Sequence, residues 1–175
     1  LMDVMGLRSE EMDALFDGET NEAVPVPGNA LGLDRTYSCG YYSDLVKLNG
    51  AEALMTYGNH FYAGMPVLTK KRYGAGAAYY VAVRSDALFY EALIREICEK
   101  AGITPVAQTP GGVEAGLRVG RDEKKEFLFL LNHEKIEQSV PVEQDAADLV
   151  TGMEWKKGSK LTLPAYGVAI LKRSV

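Results

Sequence analysis

The chain has 175 residues, 47% of them apolar and 25% charged, with a formal net charge of −5, which is material for one compact domain or two small ones. No apolar run reaches the ~18 residues a membrane-spanning helix needs and no basic block is present, so membrane insertion and polyanion binding are disfavoured. The charge is uneven: residues 1–104 carry 9 Lys/Arg against 14 Asp/Glu, and residues 105–175 carry 10 of each, which points to two units.

The opening Leu1-Met-Asp-Val-Met-Gly-Leu7 reads as the tail of a helix already under way, because no cap residue precedes it; the chain is expected to be a fragment. Ser9-Glu-Glu-Met-Asp-Ala-Leu15 offers a cap residue and acids in a first turn, so a short helix or turn is expected there. From Asp17 to Leu33 the glycines and prolines predict a long surface excursion. Short strands are expected at Thr36–Cys39, Leu45–Leu48, Ala53–Tyr57, Pro66–Tyr73 and Ala77–Val83. The last two form a hairpin around Tyr73-Gly-Ala-Gly76, whose glycines can take positive φ. Because Ala77–Val83 is apolar on both faces, it reads as an interior strand. Asp86–Ala101 is the clearest helix: Ser85 or Asp86 caps it, Phe89, Leu93 and Ile97 recur at four-residue spacing, and Gly102 and Pro105 stop it. Beyond Pro110 the pattern is all-β. Val113–Val119 alternates, a charged turn from Gly120 to Lys125 leads into Glu126–Asn132, and short strands follow at Ser139–Val142, Ala147–Val150, Lys160–Leu163 and Gly167–Lys172, a spacing that suggests a small sandwich or barrel.

Chemistry is sparse. Cys39 and Cys98 are far apart and outside any Cys/His ligand pattern, so free thiols are expected and no metal site is read. Gly74 and Gly76 lack the helix and Lys-Ser/Thr of a phosphate loop. His60, in Gly58-Asn-His-Phe-Tyr-Ala-Gly64, and His133, at the end of an apolar strand, have no triad around them. Paired carboxylates would be needed for glycosidase chemistry, yet Glu10, Glu11, Glu91, Glu96, Glu99, Glu114, Asp122 and Glu123 all read as solvated helix, turn or strand positions. No catalytic, cofactor-binding or metal residue is therefore assigned. The aromatics Tyr37, Tyr41, Tyr42, Tyr57, Phe61 and Tyr62 gather in the loop-rich first part, where exposed rings could anchor an interface or stack on a sugar.

Several stretches carry a resemblance. Residues 1–15, Gly50-Ala-Glu-Ala-Leu54, Phe61-Tyr-Ala-Gly-Met-Pro66, Tyr73-Gly-Ala-Gly-Ala-Ala-Tyr-Tyr-Val81 and Gly112-Val-Glu114, in this order, resemble the rear part of glycoside hydrolase family 42 β-galactosidases. Phe129-Leu-Leu-Asn-His133, Leu149-Val-Thr-Gly152 and Leu163-Pro-Ala-Tyr-Gly-Val-Ala-Ile-Leu171 resemble the family's terminal β-domain. The resemblance covers nearly the whole chain. It implies a parent built from a catalytic (β/α)8 barrel, a flavodoxin- or amidotransferase-like middle domain that builds a trimer, and a terminal β-domain, with this chain holding only the later half of the middle part and all of the last. The expected fold class is α+β, with a mixed α/β piece at 1–106 and an antiparallel β-domain at 107–175. A barrel needs ~250 residues, so the catalytic glutamates have no counterpart here and the chain is expected to be inactive alone. A cytoplasmic parent without cofactor is expected. Its partners are the rest of that protein and neighbouring subunits, with contacts from Tyr37, Tyr41, Tyr42, His60, Phe61 and Tyr62. His60 stands where the family pattern has an acid. Two rivals remain open: a free carbohydrate-binding module using those aromatics, and a small amidotransferase-like enzyme using Cys39 as an activated thiol.

Overall fold

A computed structural model describes residues 1–121 and 124–174, so the expected turn positions Asp122 and Glu123 lie outside the described residues. The chain divides into two compact units, Leu1–Ile103 and Thr104–Val175. Their described elements are fourteen strands and two helices, and every strand pairing is antiparallel. This corrects the α+β expectation: a flavodoxin- or amidotransferase-like piece needs parallel strands joined by crossover helices, and unit 1 has none among its described residues.

Unit 1 opens with a single helical turn, α1 (Met2–Met5), ended by Gly6 at φ +62. Strands β1 (Leu7–Ala14), β2 (Thr20–Pro25), β3 (Tyr37–Leu48), β4 (Glu52–Tyr57), β5 (Pro66–Tyr73), β6 (Gly76–Val81) and β7 (Val83–Ser85) follow, then helix α2 (Ala87–Lys100). The strand order is β1-β3-β2-β4-β5-β6, with β7 returning to β3. At Ala82 the chain passes from one partner to the other: Ala82 N–H donates to Val67 O at 2.8 Å, and its carbonyl accepts from Asp44 N–H at 2.8 Å. The pairings β3–β2–β4–β5–β6/β7–β3 therefore close on themselves, which removes most free edges.

Four local expectations change. Residues 9–14 belong to strand β1, because pairing with Tyr42–Leu48 of β3 outweighs a local helix start. Thr20–Pro25, expected as loop, is a central strand holding buried Ala23 and Asn21. The two strands expected at 36–48 are one twelve-residue strand with a register break between Gly40 and Ser43. Ala77–Val83 divides into β6 and β7, and β6 ends the strand order rather than lying inside it. The hairpin β5–β6 pairs Tyr73 with Gly76 as its spacing implies. Helix α2 starts where Asp86 Oδ1 accepts from Phe89 N–H at 2.9 Å and buries Phe89, Ala92 and Leu93. Leu88 and Ile94 remain exposed. The core joins Phe89 and Leu93 to Ala23, Leu45, Met55, Tyr57, Leu68 and Val83.

Unit 2 contains β8 (Val113–Val119), β9 (Lys125–Asn132), β10 (Gln138–Pro141), β11 (Ala146–Asp148), β12 (Glu154–Trp155), β13 (Lys160–Leu163) and β14 (Val168–Ser174). They form a five-stranded sheet, β12-β11-β14-β9-β8, and a two-stranded sheet, β10-β13. Period-two alternation sends Leu128, Leu130, Ala169 and Leu171 of one sheet and Val140, Leu161 and Leu163 of the other into one core, the construction of a sandwich.

Candidate interaction surface

The register break in β3 is where unit 1 presents aromatic surface. Tyr41 takes φ +67, a left-handed conformation costly for a bulky residue. Its carbonyl accepts from Leu15 N–H at 3.0 Å, and the Arg84 guanidinium lies 4.6 Å from its ring centroid, close enough for a cation–π contact. These contacts hold the ring outward, 69% exposed. Tyr42, opposite Ala14, is also exposed. Beside the break lies an open groove of about 390 Å³ lined by Phe16, Asp17, Glu19, Tyr41, Arg84 and Asp86, among others.

The loop at 58–64 is built from β2. Asn21 is buried and works in both directions: its Oδ1 accepts from Glu22 N–H at 2.7 Å and Asn59 N–H at 2.9 Å, while its Nδ2 donates to Asn59 O at 3.0 Å. His60 turns the chain at φ +67 and stacks on Tyr62 at 5.5 Å. Tyr62 is 1% exposed and meets Tyr57 edge-on at 4.8 Å. Phe61 meets the same ring edge-on at 4.8 Å but stands 78% exposed.

The six contact candidates thus divide. Tyr37, packed edge-on against Phe89 at 5.4 Å, and Tyr62 are core residues; Tyr41, Tyr42, His60 and Phe61 are at the surface. Alternation along a strand cannot separate these groups, because Tyr41 lies within the break between Gly40 and Ser43, where the bulge resets which face is inward.

The remaining chemistry is structural. Burial pushes the Cys39 thiol up to about 11, with the Glu22 carboxylate adding to it, the reverse of what an activated nucleophile needs. Cys98 is a half-buried free thiol. His133 Nε2 lies 3.0 Å from Glu114 Oε2, both exposed. Glu10 and Glu11 lie on β1, Glu91, Glu96 and Glu99 on α2. Among the described residues, no three His, Cys, Asp or Glu side chains are placed to hold a metal ion, and no helix is long and apolar enough to cross a membrane.

Two buried polar residues, Asp44 and Asn132, and the half-buried Asn29 organise the units, and the sequence reading gave none of them that role. Asp44 takes hydrogen bonds from Ser9 Oγ at 2.5 Å and from the Tyr80 hydroxyl, and its backbone carbonyl accepts from the Tyr57 hydroxyl at 3.2 Å. Burial first, then Asp44, pushes the Tyr80 phenol up to about 12. Asn29 folds its own loop, donating to Leu33 O at 2.6 Å and Val26 O at 3.0 Å while accepting from Leu31 and Leu33 N–H. In unit 2, Asn132 Nδ2 donates to Ile136 O and Pro164 O, both at 2.8 Å. Asn in a turn-rich segment is the available signal, since its amide substitutes for backbone partners; nothing local marks Asp44.

With these features in place, comparison with known proteins gives the class. Residues 1–104 match the model of the β-galactosidase trimerisation domain, and the chain belongs to that family. Residues 112–173 match the model of the β-galactosidase C-terminal domain, so the two domain matches follow one another along the chain. The chain is 39% identical over 173 residues to β-galactosidase BgaP of Planococcus sp. (strain L4), covering 99% of this chain and 25% of that protein. It is 36% identical over 178 residues to β-galactosidase Pbg of Clostridium perfringens, with the same shares. The crystal structure of β-galactosidase from Bacillus circulans sp. alkalophilus superposes with a TM-score of 0.83 at 39% identity, covering 98% of this chain and 25% of that one. The chain spans about a quarter of the length of these relatives.

Proposed function

We propose that this chain is the non-catalytic assembly region of a longer β-galactosidase, in which unit 1 joins three subunits and both units support a catalytic part supplied by other residues of the parent. The observation that carries this reading is the match of unit 1 to a trimerisation domain, joined to a surface suited to it. Phe61, Tyr41 and Tyr42 stand exposed on a closed strand ring whose own core is complete without them. Large aromatic rings held outward on rigid strands and a hydrogen-bonded loop are the anchors interfaces use. His60 and Phe61 are held by the Asn21–Asn59 bonds, so that contact is pre-organised rather than formed on binding. The parent acts in the cytoplasm.

Hydrolysis of a nitrophenyl β-galactoside by the purified chain tests the catalytic half of this reading. The expected rate is that of buffer; turnover that copurifies with the chain through two orthogonal columns would overturn it. Titration with galactose tests the sugar-binding rival, for which saturable binding lost in Phe61→Ala would be the supporting result.

A further inference from the structure

Unit 1 carries two surface features of opposite charge. The first is the groove beside the β3 break. Its walls are the exposed rings of Phe16 and Tyr41, and the acids Asp17, Glu19 and Asp86 line it. Its one cation, Arg84, is stacked on Tyr41. Glu19 and Asp86 each hold a backbone N–H, of Phe16 and Phe89, which keeps them in place without neutralising them.

The second feature is the tip of the β5–β6 hairpin. Arg72 and Tyr73 stand exposed just before the turn at 74–75. Lower on the same strand, Lys70 faces Glu52 at 3.7 Å and the Lys71 stem lies close against Gly6 and Gly50. Arg72 is thus the cation the hairpin offers outward. Among the described residues neither Asp17 nor Arg72 has an ion-pair partner. No hairpin residue lines the groove, so one copy can give its tip to one neighbour while its groove receives the tip of another.

A closed ring of three cannot be built from a single self-complementary patch; it needs two different surfaces that fit each other head to tail. Resting on the assembly reading above, we propose that the Arg72–Tyr73 tip of one copy of this chain seats in the groove formed by Phe16, Asp17, Glu19 and Tyr41 of the next. The guanidinium meets the groove's carboxylates, where charge-assisted hydrogen bonds are strongest. Tyr73 adds its ring to the two aromatic walls, as Tyr and Arg do at the centres of interfaces. The left-handed Tyr41 then has a use: the break in β3 turns its ring into the wall of the groove.

Sedimentation equilibrium of the 175-residue chain tests this, with Asp17→Arg, Arg72→Glu, Tyr73→Ser and the Asp17→Arg/Arg72→Glu double variant, each checked by far-UV circular dichroism. The wild-type chain is expected to form trimers that loosen as salt rises. Each charge reversal should raise the dissociation constant about tenfold or more, the double variant should recover to within about threefold of wild type, and Tyr73→Ser should weaken assembly at every salt concentration. Trimers indifferent to Arg72→Glu and Tyr73→Ser would overturn this contact and leave the assembly reading standing. A wild-type chain monomeric at every concentration would overturn both. Should Asp17→Arg lose its fold, the two hairpin variants decide.

Discussion

In unit 1 burial acts on a thiol and phenols and holds them protonated inside a ring of strands, whereas in unit 2 a buried carboxylate is held ionised by a turn of a sandwich. In unit 1 the thiol of Cys39 and the phenols of Tyr57 and Tyr80 are all pushed up by burial. In unit 2 burial alone would raise Asp148, but hydrogen bonds from the Thr151 hydroxyl and from the Val150, Ile170 and Thr151 N–H groups outweigh it and hold the carboxyl below its usual range. The contrast follows from architecture. Closing a ring makes the polar atoms of long-range partners such as Asp44, Tyr57 and Ala82 satisfy each other inside, while the Asp148 carboxylate of the sandwich is satisfied by the turn that follows it and by Ile170.

The contrast can be broken one unit at a time because the chain has a built-in pair of probes: its single tryptophan, Trp155, packs on the unit 2 core, and nine of its ten tyrosines lie in unit 1. The largest effect is expected from Phe89→Ala, which empties a fully buried ring site in unit 1. A loss of about 3–5 kcal/mol should appear in tyrosine near-UV dichroism under denaturant. Next, Asn132→Ala should cost unit 2 about 2–4 kcal/mol, because it leaves the carbonyls of Ile136 and Pro164 without their buried donor; Trp155 fluorescence reads it. Gly6→Ala comes third. At φ +62 its new Cβ would lie 2.8 Å from Ala51 N, a backbone atom with no freedom to retreat, and a loss of about 1–2 kcal/mol is expected from unit 1.

The smallest effects are opposite slopes with pH. A thiol or phenol raised in the folded state contributes stability that is complete below its unfolded pKa and disappears as pH climbs through the folded one. Unit 1 should therefore weaken from pH 9.0 to about 11 through Cys39 and from pH 10.0 to about 12 through Tyr80. Asp148 works the other way: its contribution is present above 3.8 and fades as pH falls through its lower folded value. Denaturant midpoints read by tyrosine at alkaline pH and by Trp155 at acid pH check both; parallel slopes in the two signals would contradict the contrast.

The same difference decides what could be read beforehand. The strands of unit 2 were legible because their signals are local: the alternation of Val113–Val119, the apolar run Glu126–Asn132 and the turn at Pro164–Gly167 mark β8, β9, β13 and β14, although the pairings β9–β14 and β10–β13 join distant segments. Unit 1 was not, because its strands are defined by distant partners. Ser9, Glu10 and Glu11 have the chemistry of a helix start, yet β1 exists through pairing with Tyr42–Leu48, and Thr20–Pro25 sits amid glycine and proline but fills the place between β3 and β4. The β5–β6 hairpin and helix α2 were legible for the reason unit 2 was, a local turn and a local cap. At the candidate surface, aromatic clustering pointed to the right segments but could not tell buried Tyr37 and Tyr62 from exposed Tyr41 and Phe61, since the break in β3 and the loop anchored by Asn21 decide the matter.

The central claim is assembly without chemistry, and the molar mass of the purified chain in solution, followed by light scattering from low to high micromolar concentration, tests it most directly. The account predicts a mass that rises from 19.1 kDa to a plateau three times larger and lowered by Arg72→Glu. A mass fixed at that of one chain across the whole range would contradict it.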